Sequence, residues 1–537
     1  MGSSFYFSKF RNQKTIIMQT NNFLLLILFS CFATSCMNKK KTPLDTLGDI
    51  SFQVTGKEEG QPLFKKGMLL LHSFEYADAA EAFQQVKKTD PGFVMAYWGE
   101  AMSLNHPLWQ EQDYDQGVAL LNQLAPTAEE RTTLAKTTLE KDFIGGINIL
   151  YGKGNKAERD SSYAAYMETL YKKYPGNDEV AAFYSLSLNG WGTTEQDISI
   201  LQKAAAIGNE ILLRNPDHPG ALHYIIHALD NPAYAEKALA VADKYALVAK
   251  DAGHALHMPT HTYLALGLWD KLISSNEVSW AAEMNRRDRK NLNNDALGYH
   301  AYHWLQYGYL QKGNKDKARS MLDSVKKYCS TLPSPKARNH VFYLKSTYLA
   351  ETNDYSKEVV AISFENKDLN ILTRARNNFV TGMNAFYQKD ETAMEEVITK
   401  MAGDRLMEHS KAADKGIRLC GNINRAIVTK NDLLESEAME LQLKAMKAWL
   451  KKDAVVTEKL LQQSTALQQK VGYSYGPPAI VKPTYEMYGE WLLETGKPKQ
   501  ALEQFELSLK LAPNRLLSLK GKEKAREELK NTKLAVI

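Results

Sequence analysis

The stretch Gly67–Pro91, GMLLLHSFEYADAAEAFQQVKKTDP, decides the fold when it is set beside Gly489–Pro513, GEWLLETGKPKQALEQFELSLKLAP. Gly67, Ala79, Phe83 and Pro91 recur as Gly489, Ala501, Phe505 and Pro513 with no slip in spacing. Glycine and alanine let two helices approach closely, phenylalanine fills the gap between them, and proline stops the second helix. Two copies of one device at opposite ends of a chain predict a repeat array of helix pairs.

The four residues fit positions 8, 20, 24 and 32 of a 34-residue helix–turn–helix, and the units resemble tetratricopeptide repeats (TPR). That resemblance implies an all-α fold, a TPR-type helix–turn–helix solenoid wound as a right-handed superhelix. Between the ends the pattern is looser. Ala204 and Pro216 fit positions 20 and 32 of a further unit, and Gly313 and Ala318 repeat the spacing of Gly496 and Ala501. Less regular helix pairs are expected around 180–200, 340–400 and 435–470. The segment 107–160 fits no repeat and predicts an insertion.

The bulk numbers agree. Of 537 residues, 44% are hydrophobic and 24% charged, which fits a globular chain and argues against disorder or a multi-span membrane protein. The net charge of +5 is spread without a basic stripe, so nucleic acid is excluded as a partner class.

The N-terminus reads as an address. Phe23–Phe32, FLLLILFSCF, is too short to cross a bilayer as a helix and suits a signal-peptide core. Lys9, Arg11 and Lys14 precede it, and Ala33, Thr34 and Ser35 lead into Cys36. This resembles a bacterial lipobox, which implies that Cys36 is lipidated and becomes the first residue of the mature chain. Ala33 stands where leucine is more usual, and a start at Met18 would remove the basic residues. The expected layout is a signal peptide over 1–36, a polar tether over 37–59, an N-terminal TPR and irregular helical region over 60–200, central histidine-rich units over 201–330, and a C-terminal TPR region over 331–537. The expected location is the cell envelope, lipid-anchored to a membrane and facing the periplasm. Cys329 and Cys420 are read as free thiols.

Chemistry concentrates in the middle. Seven of twelve histidines fall between 223 and 303: His223, His227, His254, His257, His261, His300 and His303. His223 to His257 and His227 to His261 are each one 34-residue unit apart. In the TPR register these side chains occupy positions 2, 5 and 9 of successive first helices, which in TPR proteins face a concave ligand groove. Pro259 is tolerable only in the first turn of a helix.

Two readings stay open. Imidazoles at i, i+4 on two adjacent helices can hold a transition metal such as Zn, Cu or Fe, with His223, His227, His257 and His261 as ligands and Asp230, Asp251 and Glu283 as carboxylate partners. Alternatively the seven line a polar groove, bonded to each other and to Tyr224 and Tyr302, that clamps a peptide, protein or small-molecule ligand. No signature of a common enzyme class is present, so a metal-dependent hydrolase or oxidase remains the alternative to a binding protein. Trp98, Trp304 and Trp491 are read as core, and the basic stretch from Arg515 to Lys530 as the solvated face of a capping helix.

The segments HPGALHYIIHALD (His218–Asp230), GHALHMPTHTYLALGLW (Gly253–Trp269), YGPPAIVKPTYEMYGEWLL (Tyr475–Leu493) and MAYWGEAM (Met95–Met102) together resemble a family of bacterial TPR proteins. Its members carry similar H-P-x-A-x-H-x-x-x-H, G-H-x-x-H-M-P-x-H and G-P-P-x-x-x-K-P motifs. The resemblance spans nearly the whole mature chain. It implies the fold and leaves the activity open.

Overall fold

A computed structural model describes residues 46–191, 198–412, 427–473 and 475–534. Cys36, like Cys31 and Cys420, lies outside the described residues. The first helices are α1 (Gln61–His72), α2 (Tyr76–Thr89) and α3 (Val94–Ser103), followed by a two-residue antiparallel pair, β1 (Asn105–His106) and β2 (Glu111–Gln112). Four helices follow: α4 (Tyr114–Leu124), α5 (Ala128–Leu134), α6 (Thr138–Leu150) and α7 (Lys156–Lys173). The central part comprises α8 (Asp178–Trp191), α9 (Ile198–Arg214), α10 (Pro219–Ala228), α11 (Leu239–Val248), α12 (Gly253–His257), α13 (Pro259–Ala265), α14 (Trp269–Arg289), α15 (Tyr299–Gln311) and α16 (Lys315–Thr331). Then come α17 (Pro335–Thr352), α18 (Lys357–Val360), α19 (Ile371–Tyr387), α20 (Glu391–His409), α21 (Lys430–Leu450), α22 (Ala454–Val471), α23 (Thr484–Glu494), α24 (Pro498–Leu511) and α25 (Leu516–Leu534). The fold is an all-α helical solenoid.

The residues that marked the repeat explain its packing. A Cβ on Gly67 would lie 2.7 Å from the Phe83 ring, and one on Gly99 would lie 2.5 Å from it. At the far end Phe505 is held the same way, 2.8 Å from a Cβ on Gly489 and 2.3 Å from one on Gly521. Each phenylalanine is thus clamped between the first helix of its own unit and that of the next, closer than any side chain there would allow.

End and middle units share a further mark. The turn between the two helices of a pair takes a positive φ at Phe74, Gly267, Gly313, Lys389, Lys452 and Gly496. Five residues after each stands a side chain with no exposure: Ala79, Leu272, Ala318, Met394, Thr457 and Ala501. The turn geometry is therefore more regular than the residue types that adopt it. Phe74 is the exception that matters, because a bulky residue rarely takes this conformation.

Both ends of the described body close on its middle. Arg286 on α14 pairs with Asp78 on α2, and Lys290 reaches Glu81 at 2.6 Å. At the other end Trp269 donates its indole N–H to the Asn514 carbonyl at 2.9 Å. Arg515 departs from its expected place on a solvated face. It is fully buried, donates to both carboxylate oxygens of Glu486 at 2.7 and 2.9 Å, and reaches the Tyr307 hydroxyl at 3.0 Å. Such a charge sits inside only because carboxylates meet it there. Among the described residues, no helix is long and apolar enough to cross a membrane. Cys329 is a buried free thiol.

Candidate metal centre

Helix α10 begins at Pro219, with His218 as its cap: the His218 Nδ1 accepts the Ala221 N–H at 3.1 Å. One turn apart on this helix, His223 and His227 leave the same face, and their Nε2 atoms stand 3.0 Å apart. The next first helix is broken by proline as its sequence demands: α12 ends at His257, and Pro259 opens α13 in its first turn. His254, His257 and His261 therefore come from two short helices meeting at a bend. His300 enters from α15.

The rings form two sets of three. Ligand nitrogens of His223, His227 and His254 lie within 4.8 Å of one another, and so do those of His257, His261 and His300. The sets touch, with ring centres 5.6 Å apart for His227 and His261 and 6.2 Å apart for His254 and His257. This revises the four-residue ligand set read from spacing: His254 completes the first trio and His300 the second. His303 does not join. Three residues after His300, it faces α17 instead, where its Nε2 meets the Thr347 hydroxyl at 2.8 Å.

Partners behind the rings set their tautomers. His223 Nδ1–H donates to the His72 carbonyl at 2.7 Å, and His257 Nδ1–H to Asn276 Oδ1 at 2.8 Å. His261 Nδ1–H donates to Asp230 Oδ2 at 2.6 Å. These tautomers direct Nε2 of each ring inward, the arrangement typical of metal-ligating histidine. The Nε2 atoms of His254, His257 and His300 are buried and find no hydrogen-bond partner among the described residues. Burial, and then the neighbouring histidines, depress these groups: His257 to about 3, His254 and His300 well below their ordinary value. His223 is likewise held at about 3, chiefly by burial. All four are neutral at pH 7, the form that binds a metal.

Of the carboxylates expected to take part, only Asp230 meets a ring. Asp251 hydrogen-bonds Thr46 instead. Glu283 is pushed up to about 8 by burial and by Glu75, whose Oε1 accepts the His254 backbone N–H at 2.9 Å. Tyr224 donates to His72 Nδ1 at 2.9 Å, while Tyr302 stacks on Trp280.

Most of the site is interior, with His254 and His300 half-buried. His223 and His261 have no exposure, and His257 and His227 have 2% and 3%. The strained turn residue Phe74 lies 4.2 Å from the His223 ring and 5.7 Å from His254. Trp109, between the two short strands, stands edge-on to His254 at 6.1 Å. Trp304 closes the other side, 4.4 Å from His261 and 4.9 Å from His300. Trp304 is core, as expected, and also a wall of the site. Over it lies the Gly-Pro-Pro loop: a Cβ on Gly476 would be 2.8 Å from the indole, and Arg376 holds the Pro478 and Ala479 carbonyls at 2.7 and 2.9 Å.

A third cluster, His72, Glu179 and His218, went unread because its members lie 107 and 39 residues apart with no shared register. Its members pair with one another, although His218 Nε2 and Glu179 Oε1 make no hydrogen bond. His72 Nε2–H donates to Glu179 Oε2 at 2.8 Å, Tyr224 fills His72 Nδ1, and His218 Nε2 lies 3.3 Å from Glu179 Oε1. The Glu179 carboxyl is held far below its ordinary value against the burial that would raise it, by the two histidines. This cluster braces the floor beneath His223, whose Nδ1 rests on the His72 carbonyl.

No family model and no curated protein matches the chain. Solved structures similar to it include the Cut9–Hcn1 hetero-tetramer of APC/C, at 12% identity over 88% of this chain and 77% of that one, TM-score 0.36. Yeast Tom70 matches at 12% identity over 89% of this chain and 96% of that one, TM-score 0.31. The TPR domain of P58(IPK) matches at 12% identity over 88% and 99%, TM-score 0.20.

Proposed function

We propose that the chain is a helical-repeat protein of the bacterial cell envelope, lipid-anchored at Cys36 and facing the periplasm, whose interior holds a transition-metal centre. One observation carries the metal reading. Three imidazole nitrogens, on His254, His257 and His300, are buried without a hydrogen-bond partner within one cluster. Each such atom costs about 1–3 kcal/mol when left unsatisfied, and coordination removes that cost. The third histidine cluster differs in carrying a carboxylate, Glu179, that pairs with both of its imidazoles.

Burial also weighs on what the centre does. Four of the six histidines have at most 3% exposure, which favours holding a metal over turning over a large substrate, so a hydrolase or oxidase is the weaker reading. The measurement is elemental analysis of the mature protein from its membrane fraction, beside a His254→Ala/His300→Ala variant, which removes a ring from each trio. A stoichiometric transition metal, lost in the variant, is expected. Metal-free wild type, or metal retained in the variant, would overturn the reading.

A separate groove favours a scaffold role alongside. A cavity of about 1030 Å³ between α19, α21, α23 and α25 is lined by Phe386, Tyr387, Trp449, Lys520 and Lys524 among others. Aromatic walls with a basic rim suit a partner's peptide better than the enclosed histidines do. A peptide array probed with wild type and with Trp449→Ala tests this: loss of the bound set in the variant is expected, and an unchanged set contradicts it.

A further inference from the structure

We infer that the six imidazoles form two adjacent three-histidine sites that take two copper ions, a reading that rests on the metal function proposed above. The first argument is reach. A metal–imidazole bond is about 2.0–2.1 Å, so nitrogens sharing one ion lie no more than about 4.2 Å apart. Within each trio the nitrogens already lie within 4.8 Å. Three nitrogens arranged trigonally about one ion lie about 3.6 Å apart, so closing either trio needs movements of up to about 1.2 Å, which ring rotations supply. No histidine belongs to both trios.

The second argument is construction. Each trio combines an i, i+4 pair with one ring from the following part of the chain: His223 and His227 with His254, then His257 and His261 with His300. The pairs are one repeat apart, so the step that stacks one unit on the next copies the first site into the second. A repeat that duplicates a ligand pair duplicates the site.

The donor set selects the metal. Six nitrogens with no thiolate or carboxylate oxygen among them disfavour the oxygen-seeking Mg, Ca and Mn, and copper heads the affinity order among divalent first-row ions. Charge then favours the cuprous state. Six neutral imidazoles bring no negative charge, and Asp230 is the carboxylate that bonds one of their rings. Two zinc ions would bring four positive charges into this enclosure, two cuprous ions only two, and the desolvation penalty rises steeply with ionic charge. Zinc also requires a fourth ligand to complete its tetrahedron, whereas cuprous ion accepts three.

The test is anaerobic titration of the metal-free mature protein with Cu(I) against a chromophoric chelator, with X-ray absorption on the loaded form. Two ions per chain are expected, each with three nitrogen neighbours at about 2 Å. His254→Ala and His300→Ala should each retain one ion, the double variant none, and His303→Ala two. A wild-type ratio of one, or loss of all copper in either folded single variant, would overturn the two-site inference while leaving the metal function standing. A ratio of zero would overturn both. The wild-type ratio decides even where a variant fails to fold, which circular dichroism reports.

Discussion

The smallest unit of the site is a ring with two nitrogens, one held from behind and one directed inward. Asp230 does the holding for His261 at 2.6 Å. Asp230→Asn keeps the shape but weakens the acceptor, so metal affinity should fall about 10–100-fold, with little change in the circular dichroism spectrum. Unchanged affinity in a competition titration would show that Asp230 has no part in orienting the ring. The same burial makes the metal-free protein sensitive to acid. His223, His257 and His340 are each depressed to about 3, chiefly by burial, against 6.5 in the unfolded chain. Between those values the unfolded chain binds protons that the folded chain refuses. Stability is therefore complete above pH 6.5 and falls as pH drops toward 3, by about 1.4 kcal/mol per pH unit for each such histidine. Denaturant melts at pH 7, 6 and 5 check this; a flat profile would contradict it.

At the level of elements, the glycine–phenylalanine clamp was legible because it repeats without slip, and its contacts were predictable from volume alone. Gly67→Ala places a Cβ 2.7 Å from the Phe83 ring. Overpacking of this kind destabilises by about 1–3 kcal/mol, and Phe83→Leu in the same chain should recover part of that loss in a double-mutant cycle. Additive effects would mean the two residues do not share the gap. The middle units were less legible because two of their turns, at Lys389 and Lys452, take a positive φ with lysine in place of glycine, leaving no residue to read. His303 was misplaced for a related reason. Repeat register sets where a residue sits on its helix, but the Thr347 hydroxyl on the neighbouring helix decides which face receives it. Arg515 was assigned to solvent because its run of lysines reads as a surface, whereas its carboxylate partners come from 29 and 164 residues away.

For the whole molecule, periodicity was enough to establish an all-helical array, and the 34-residue spacing was enough to bring most of the histidines together. What periodicity could not show is enclosure. The chain closes on itself through Asp78 and Arg286 at one end and Asn514 and Trp269 at the other, contacts separated by more than 200 residues. The expectation was a groove; four of the six histidines are buried, and His254 and His300 are half-buried. The proposed anchor is tested separately: on that proposal Cys36→Ser should move the protein from the membrane to the soluble periplasmic fraction, and continued membrane association would count against lipidation. The most direct test of the central claim is an anomalous difference map from crystals of the metal-loaded protein, recorded at the absorption edge of the bound element. The account predicts density among His223, His227 and His254 and among His257, His261 and His300, enclosed by Phe74 and Trp304. Density confined to surface residues, or none above noise in a protein shown to carry metal, would contradict it.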